Sequence, residues 1–289
     1  MTIGLSFYKF LAKRLKGTNI SQNPTARKLI NRLNSQLKLE YVLIDGKKLF
    51  LDSSDSLFLS AYGTHEKTIT SLVKKEIKPG DTVLDIGAHI GYYTIIFSNL
   101  VGKSGKVYSF EPDPQNFALL EKTVKENNLT NVHVYQNAVS DKNQLIEFFQ
   151  SKVDSISNHM FNSEESGNKI EIKSISVDEF FKDQLDQINF IKMDIQGAEG
   201  VAFKGMRNLL ECNKQIKIIQ EWWPSAITKY GVEPDSHLHL LEELGMVFYE
   251  IDGINDKLVP TTTSKLMKKY PNEDLEDINL FCTFQKNIE

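Results

Sequence analysis

Short apolar runs alternate with amphipathic stretches over most of the chain after Pro79-Gly80. Runs such as "TVLDI" (82–86) are continuously apolar apart from one acid, which is typical of parallel strands covered by helices on both faces. Stretches such as "PQNFALLEKTVKENN" (114–128) carry apolar residues at helical spacing instead. The pattern therefore predicts an α/β fold with a doubly wound, mostly parallel sheet.

Seven strands are predicted for this sheet. A long connection without a convincing helix precedes the last of them, which favours an antiparallel last strand. The predicted strands are "TVLDIG" (82–87), "KVYSFEP" (106–112), "VHVYQNAV" (132–139), "NFIKMDI" (189–195), "QIKIIQEWW" (215–223), "MVFYEID" (246–252) and "LFCTFQK" (280–286).

Residues 1–60 are predicted to form an extension to the main domain, residues 61–289. The first 16 residues have apolar side chains every fourth position between basic ones, which indicates a basic amphipathic helix. Two interpretations stay open: packing on its own domain or a partner, or peripheral contact with a membrane. A polar linker follows, and then a β-hairpin whose strands "EYVLID" and "KKLFLD" are joined by Asp45-Gly46.

Charge and composition narrow the class of protein. Residues 1–39 hold eight Lys or Arg and no acid, so the remaining chain has 26 basic residues against 38 acidic ones. Such an acidic body argues against nucleic acid as a partner. The sequence has no apolar run long enough to span a bilayer and no signal-peptide core, so we expect a cytoplasmic protein. Its two cysteines match no zinc or redox spacing, and we predict no metal site.

Polar side chains follow several of the predicted strands at their carboxyl ends, where open α/β sheets bind ligands. These are hard to explain by core packing and are therefore candidate site residues. In chain order, the residues at these strand ends are Asp85, Gly87 and His89; Glu111 and Asp113; Asn137 and Ala138; Asp194 and Gln196; and Glu221, Trp222 and Trp223.

The glycine turn after the first of these strands reads G-x-x-x-G, from Gly87 to Gly91. It lacks the middle glycine of a dinucleotide fingerprint, and "GKSGK" (102–106) does not complete a P-loop. A zwitterionic ligand that carries adenosine fits better: Asp85 can meet an ammonium, and Glu111 can accept both ribose hydroxyls. A nucleotide-dependent oxidoreductase remains an alternative.

Five motifs in this order resemble the FkbM family of class I S-adenosylmethionine-dependent methyltransferases: "VLDIGAHIGYYT", "VYSFEPDP", "SVDEFF", "FIKMDIQGAEGVAFKGM" and "IIQEWW". The resemblance implies a Rossmann-like sheet of seven strands with a reversed last strand, and S-adenosyl-L-methionine as cofactor. The predicted cofactor contacts are Glu66, Asp85, Gly87, Ala88, His89, Gly91, Tyr92, Glu111, Pro112, Asn137 and Ala138.

The sequence departs from the family pattern at two positions. His89 stands where the family usually has Asn; we expect it to be neutral beside the cofactor's positive charge, and cofactor affinity to rise as His89 loses its proton. Gln196 stands where the family usually has Glu, which puts any metal site that uses this position in doubt.

Three acids are candidates for the chemistry. Asp194 is the first choice for the base or for orienting the acceptor, and Glu221, after the fifth strand, is a further candidate. Glu199 either caps the next helix or reaches the acceptor. Trp222 and Trp223 form either an aromatic wall for an acceptor or a wedge in the core. The predicted function is O-methylation of a small molecule, glycan or lipid-linked sugar; the alternative is a non-catalytic module that binds the cofactor.

Overall fold

The computed structural model describes residues 39–53, 55–151, 166–271 and 277–285. The predicted basic helix in residues 1–16 lies outside the described residues. Within the described ranges, no helix is long and apolar enough to cross a membrane.

Strands form at all the predicted runs. They are β1 Tyr41–Ile44, β2 Lys47–Phe50, β3 Thr82–Ile86, β4 Lys106–Phe110, β5 Val132–Tyr135, β6 Ala138–Val139, β7 Gln144–Ser151, β8 Ser166–Ile175, β9 Ile188–Met193, β10 Lys217–Trp222, β11 Val247–Asp252, β12 Lys257–Thr261 and β13 Ile278–Thr283. Of these, β7, β8 and β12 are additional to the prediction.

The helices lie between these strands. They are α1 Leu59–Tyr62, α2 Lys67–Glu76, α3 Tyr92–Val101, α4 Pro114–Glu126, α5 Val177–Phe180, α6 Glu199–Lys204, α7 Arg207–Cys212, α8 Pro224–Lys229, α9 Ser236–Glu243 and α10 Thr263–Lys269, with a short 3₁₀ turn at Leu185–Gln187.

The main sheet has the order β12-β11-β13-β10-β9-β3-β4-β5 in the part of the chain that the structure describes. Strands β5, β4, β3, β9 and β10 pair in parallel, whereas β13 runs antiparallel to both β10 and β11. The doubly wound sheet with a reversed last strand is therefore confirmed. The order turns back between β3 and β9, which is where such a sheet opens a crevice for a ligand.

The prediction of a long loop without a helix before the last strand was wrong. This segment contains β12, which pairs antiparallel with β11 and adds an eighth strand to the edge of the sheet. It also contains α10, whose first turn is capped by the Thr262 hydroxyl accepting from the Lys265 amide at 3.3 Å. Polar, short elements at a sheet edge give a weak apolar pattern, which explains the omission.

The run "VHVYQNAV" divides into two strands instead of one. Its first half is β5, the edge strand of the main sheet, and its second half is β6, which pairs in parallel with β8. Strands β6, β8 and β7 form a separate three-stranded sheet. The helix predicted after β9 also divides, into α6 and α7, at Gly205, where a side chain would overlap the backbone carbonyl oxygen of Ser140.

Two apolar layers cover the faces of the main sheet. One contains Phe97 of α3 and Phe190 of β9, and the other contains Phe203 of α6 and Trp222 of β10. The β1-β2 hairpin turns at Asp45-Gly46 as predicted, with positive φ at both residues. These layers leave the carboxyl ends of β3, β4, β9 and β10 together at one edge.

Candidate active site

A cavity of about 430 Å³ lies at this edge. Carboxylates from four neighbouring strand ends line it: Asp85 near the end of β3, Glu111 after β4, Asp194 after β9 and Glu221 near the end of β10. The predicted cofactor residues among its described lining are Glu66, Asp85, Gly87, Ala88, His89, Tyr92, Glu111, Pro112, Asn137 and Ala138.

The glycine turn is held against the ends of two strands. The amides of Gly87 and Ala88 both donate to the Phe110 carbonyl oxygen, each at 3.0 Å. Gly87 has a φ of +81°, and a Cβ at this position would overlap the backbone carbonyl oxygen of Asp194. A glycine is required here because the turn passes directly over the end of β9.

Gly91 does not belong to the described lining of the cavity, which corrects its predicted cofactor contact. It is the N-cap of α3 with a φ of +98°, and an added Cβ would lie 2.9 Å from the Leu120 side chain. Glycine is needed at this position for the left-handed backbone and for close packing of α3 against α4.

Asp85 is buried at the floor of the cavity. Its Oδ2 accepts a hydrogen bond from the Thr94 hydroxyl at 2.6 Å, which fixes the carboxyl group. Burial raises the pKa of Asp85 to about 6, although the nearby Lys192 ammonium opposes this shift. A ligand ammonium at this position would restore the carboxylate to its ionised form.

Glu111 is aimed by two backbone amides. Its Oε2 accepts from the His89 amide at 2.8 Å and its Oε1 from the Asp113 amide at 3.0 Å. The carboxylate oxygens retain lone pairs for ribose hydroxyls. Burial raises the pKa of Glu111 to about 7, so a proton must leave when the group accepts two hydroxyl donors.

Burial lowers the pKa of His89 to about 4. Its ring is therefore neutral at physiological pH, as expected from the sequence. The predicted rise in cofactor affinity as His89 loses its proton must be corrected, because this titration lies below pH 5.5. Between pH 5.5 and 8, Asp85 and Glu111 titrate instead.

The segment before α2 is tied to α3. The Tyr93 hydroxyl donates to Glu66 Oε2 at 2.9 Å, and the Tyr92 hydroxyl donates to the His65 carbonyl oxygen at 3.2 Å. Glu66 has a φ of +42° and lines the cavity with both tyrosines. These contacts place the Glu66 carboxylate beside the predicted cofactor site.

Asp194 is bonded through both of its carboxylate oxygens. Lys192 Nζ lies 3.1 Å from Oδ2, and Gln196 Nε2 donates to Oδ1 at 3.2 Å. Gln196 Nε2 also lies 3.2 Å from Glu221 Oε2, so this amide joins the two carboxylates. Burial, together with the charge of Asp194, raises the pKa of Glu221 well above its ordinary value.

The sequence analysis missed Lys192 and Phe148, which both line the cavity. A lysine inside the apolar run "FIKMDI" was the available signal for the first, since a buried ammonium requires a partner. Phe148 lies on β7, and its contribution depends on β7 and β8 folding over the end of β4. With Ala138 and Asn137 it lines the side of the cavity formed by the smaller sheet.

Glu199 does not reach the cavity, which corrects its place among the catalytic candidates. It is fully buried, and its Oε1 accepts from the Ile195 amide at 2.8 Å. It therefore holds the turn that carries Gln196 between β9 and α6. Burial raises the pKa of Glu199 to about 8.

The two tryptophans have different roles. Trp222 is fully buried, its Nε1 donates to the Pro234 carbonyl oxygen at 2.9 Å, and its ring contacts Tyr270 edge-on. It is the core wedge, so its predicted substrate contact is corrected. Trp223 lines the cavity together with Tyr230.

The model of the Methyltransferase FkbM domain matches residues 85–248, which is more than half of the chain. The chain belongs to the FkbM methyltransferase family. This confirms the resemblance read from the motifs, and with it the predicted cofactor, S-adenosyl-L-methionine. The match begins at Asp85 in β3 and ends in β11, so it contains all four cavity carboxylates named above.

Individual relatives align over shorter stretches. The 31-O-demethyl-FK506 methyltransferase FkbM of Streptomyces tacrolimicus is 39% identical over 67 residues, covering 23% of this chain and 25% of that protein. The protein-L-isoaspartate O-methyltransferase of Methanococcus aeolicus is 39% identical over 59 residues, covering 20% and 27%. The chain thus aligns with only about a quarter of each curated relative.

Among solved structures, the methyltransferase FkbM of Methylobacillus flagellatus KT is similar to this FkbM family member over 96% of this chain and 58% of that one. The sequence identity is 14% and the TM-score is 0.43.

The lining of the cavity fits the cofactor. Asp85 and Glu66 offer carboxylates to an ammonium, and the Glu111 carboxylate is held by backbone amides in a position to accept ribose hydroxyls. Apolar side chains suited to a flat base come from Phe110 and Phe148.

Proposed function

We propose that this FkbM family member uses S-adenosyl-L-methionine to methylate an oxygen of a neutral, hydroxyl-bearing acceptor, such as a sugar ring in a small molecule, glycan or lipid-linked sugar. One observation carries the proposal: carboxylates from four strand ends meet in a single cavity of about 430 Å³. Two of them suit the cofactor, and the other two, Asp194 and Glu221, remain for the acceptor.

When bound, S-adenosyl-L-methionine supplies a methyl group that its positive sulfonium already activates. The protein's main task is then to hold the acceptor oxygen at attack distance, and orientation of this kind contributes roughly 7 to 11 kcal/mol in favourable cases. Asp194 accepts a hydrogen bond from the acceptor hydroxyl and takes part in removing its proton, and Glu221 lines the same part of the cavity.

The charge of the cavity supports a neutral acceptor. Asp194 belongs to the lining as a charged carboxylate, and an acceptor phosphate or carboxylate beside it would be repelled. Trp223 offers a flat face to a sugar ring.

The proposal is tested by incubating the protein with S-adenosyl-L-methionine and matched acceptor pairs, each a neutral methyl glycoside and the same sugar carrying a phosphate. Release of S-adenosylhomocysteine is measured by mass spectrometry. We expect turnover with neutral glycosides and none with their phosphorylated partners. Turnover restricted to the phosphorylated sugars would contradict the acceptor class.

The Asp194→Ala variant separates an enzyme from a non-catalytic module. We expect it to abolish turnover and to leave affinity for S-adenosylhomocysteine nearly intact. If the wild-type protein binds S-adenosylhomocysteine but methylates no acceptor, and the variant behaves identically, the binding-module alternative is favoured.

A further inference from the structure

The Asp194 carboxylate is held by two side chains from different segments. Lys192 precedes it by two residues, so both side chains leave β9 toward the same face. Gln196 reaches Asp194 from a turn in which its own φ is +56°. The left-handed backbone at Gln196 brings its amide between Asp194 and Glu221, at 3.2 Å from each.

Lys192 is an unusual lysine in this fold. Only 4% of its surface is exposed, and it lies opposite Asp85 in the register of β9 and β3. Its Nζ lies 3.1 Å from Asp194 Oδ2 and 4.7 Å from the centre of the Tyr93 ring. Among the described residues that line the cavity, Lys192 is the sole Lys or Arg. An ammonium this deeply buried is costly unless it is paired.

The cavity carboxylates differ in charge as a result. Burial alone would raise the pKa of Asp194, but the Lys192 ammonium and the hydrogen bonds from Lys192 and Gln196 outweigh burial and lower it. Burial raises the pKa of Asp85, Glu111 and Glu221. Burial would likewise lower the pKa of Lys192, but the surrounding carboxylates raise it, so both members of the pair stay charged.

We infer that Lys192 is a positioning residue which, together with Gln196, holds Asp194 as a fixed anion facing the reacting end of the cavity. The inference rests on the proposed function, since it assigns the anion to the positive reacting centre and to the acceptor hydroxyl. A preorganised charge of this kind need not reorient during the reaction.

Two cofactor analogues test this without knowledge of the acceptor. Sinefungin carries an ammonium-bearing carbon where S-adenosylhomocysteine has its sulfur, so the ratio of their affinities reports a negative charge near the transferred methyl group. We expect this affinity ratio to differ between the wild type and Asp194→Asn by the same amount at every pH from 5.5 to 7.5. Asp194→Asn retains the other charged and titratable groups of this region. His65, Asp85, His89, Lys192, Glu199 and Glu221 interact electrostatically with Asp194, and Glu66 and Asp277 also line the cavity.

Removing the ammonium should make Asp194 titrate. In Lys192→Met, the weaker effect of the Gln196 hydrogen bond still opposes burial, but the pKa of Asp194 should rise and the preference for sinefungin should fall about tenfold from pH 7.5 to 5.5. Lys192→Arg keeps the cation and should restore a constant preference. A preference in Lys192→Met that equals the wild-type value at every pH would overturn the inference.

The wild-type protein provides a second test that does not depend on how the Lys192 variants fold. The ¹³C shift of the Asp194 carboxyl, assigned by comparison with Asp194→Asn, should stay constant between pH 5 and 8. A titration of Asp194 inside this range would overturn the inference. Failure of the wild type to bind S-adenosylhomocysteine would instead contradict the proposed function and leave this second test in force.

Discussion

The replacement Glu111→Gln should weaken binding of S-adenosylhomocysteine strongly while preserving the fold. In the wild type, Oε2 accepts from the His89 amide at 2.8 Å and Oε1 from the Asp113 amide at 3.0 Å. Glutamine keeps one of these acceptors but turns an NH₂ group toward the other amide. It therefore loses the charge and at least one of the two hydrogen bonds to ribose.

A hydrogen bond to a charged group contributes about 1.5 to 3 kcal/mol. Losing one such bond should raise the dissociation constant about 10- to 150-fold, as measured by isothermal titration calorimetry at pH 7.5. The matched control is Glu121→Gln, which changes an exposed glutamate on α4 and should leave the affinity unchanged.

The same variant tests the pH dependence. Glu111 has a pKa of about 7 in the free protein, and its ionised form accepts the ribose hydroxyls, so wild-type affinity should rise between pH 5.5 and 7.5. Glu111→Gln should show a smaller rise, since only Asp85, with a pKa of about 6, still titrates there. An unchanged affinity and an unchanged pH profile in Glu111→Gln would refute the ribose contact.

Three further experiments test the roles assigned to Gly87, Trp222 and Glu199. Gly87→Ala should lose more stability in thermal unfolding than Gly63→Ala, since both have a positive φ, which costs about 1 to 2 kcal/mol, but only Gly87 lacks space for a Cβ. In urea unfolding, Trp222→Ala should cost about 3 to 5 kcal/mol and Trp223→Ala clearly less, because only Trp222 is fully buried; equal costs would contradict their assignment. The melting temperature of Glu199→Gln should rise relative to that of the wild type as the pH increases from 5 to 8. Burial raises the folded-state pKa of Glu199 to about 8, so the wild type loses stability over this range because Glu199 ionises in the unfolded chain. A difference in melting temperature that stays constant with pH would contradict this.

The sequence predicts the main sheet well for a physical reason. Strands covered on both faces must be almost continuously apolar, so β3, β4, β9 and β10 stand out. Because parallel strands end at the same edge, polar residues after these strands could be expected to meet even though they are up to 136 positions apart, as Asp85 and Glu221 are.

Residue-level roles depend on contacts that the pattern does not contain. Adjacent residues on a strand point to opposite faces, so only one of Trp222 and Trp223 could enter the cavity, but the choice depends on how β10 lies in the sheet. Glu199 follows Asp194 closely in sequence, yet the turn between them directs its carboxyl group to the Ile195 amide. The Lys192–Asp194 pair could not be predicted from the pattern alone, because the prediction depends on both side chains sharing a buried face.

The central claim is that the cavity binds a sulfonium cofactor and not a dinucleotide. It is tested most directly by titrating the wild-type protein with S-adenosylhomocysteine and, separately, with NAD in a calorimeter at pH 7.5. We predict saturable binding of S-adenosylhomocysteine and no heat of binding with NAD. Binding of NAD without binding of S-adenosylhomocysteine would contradict the account.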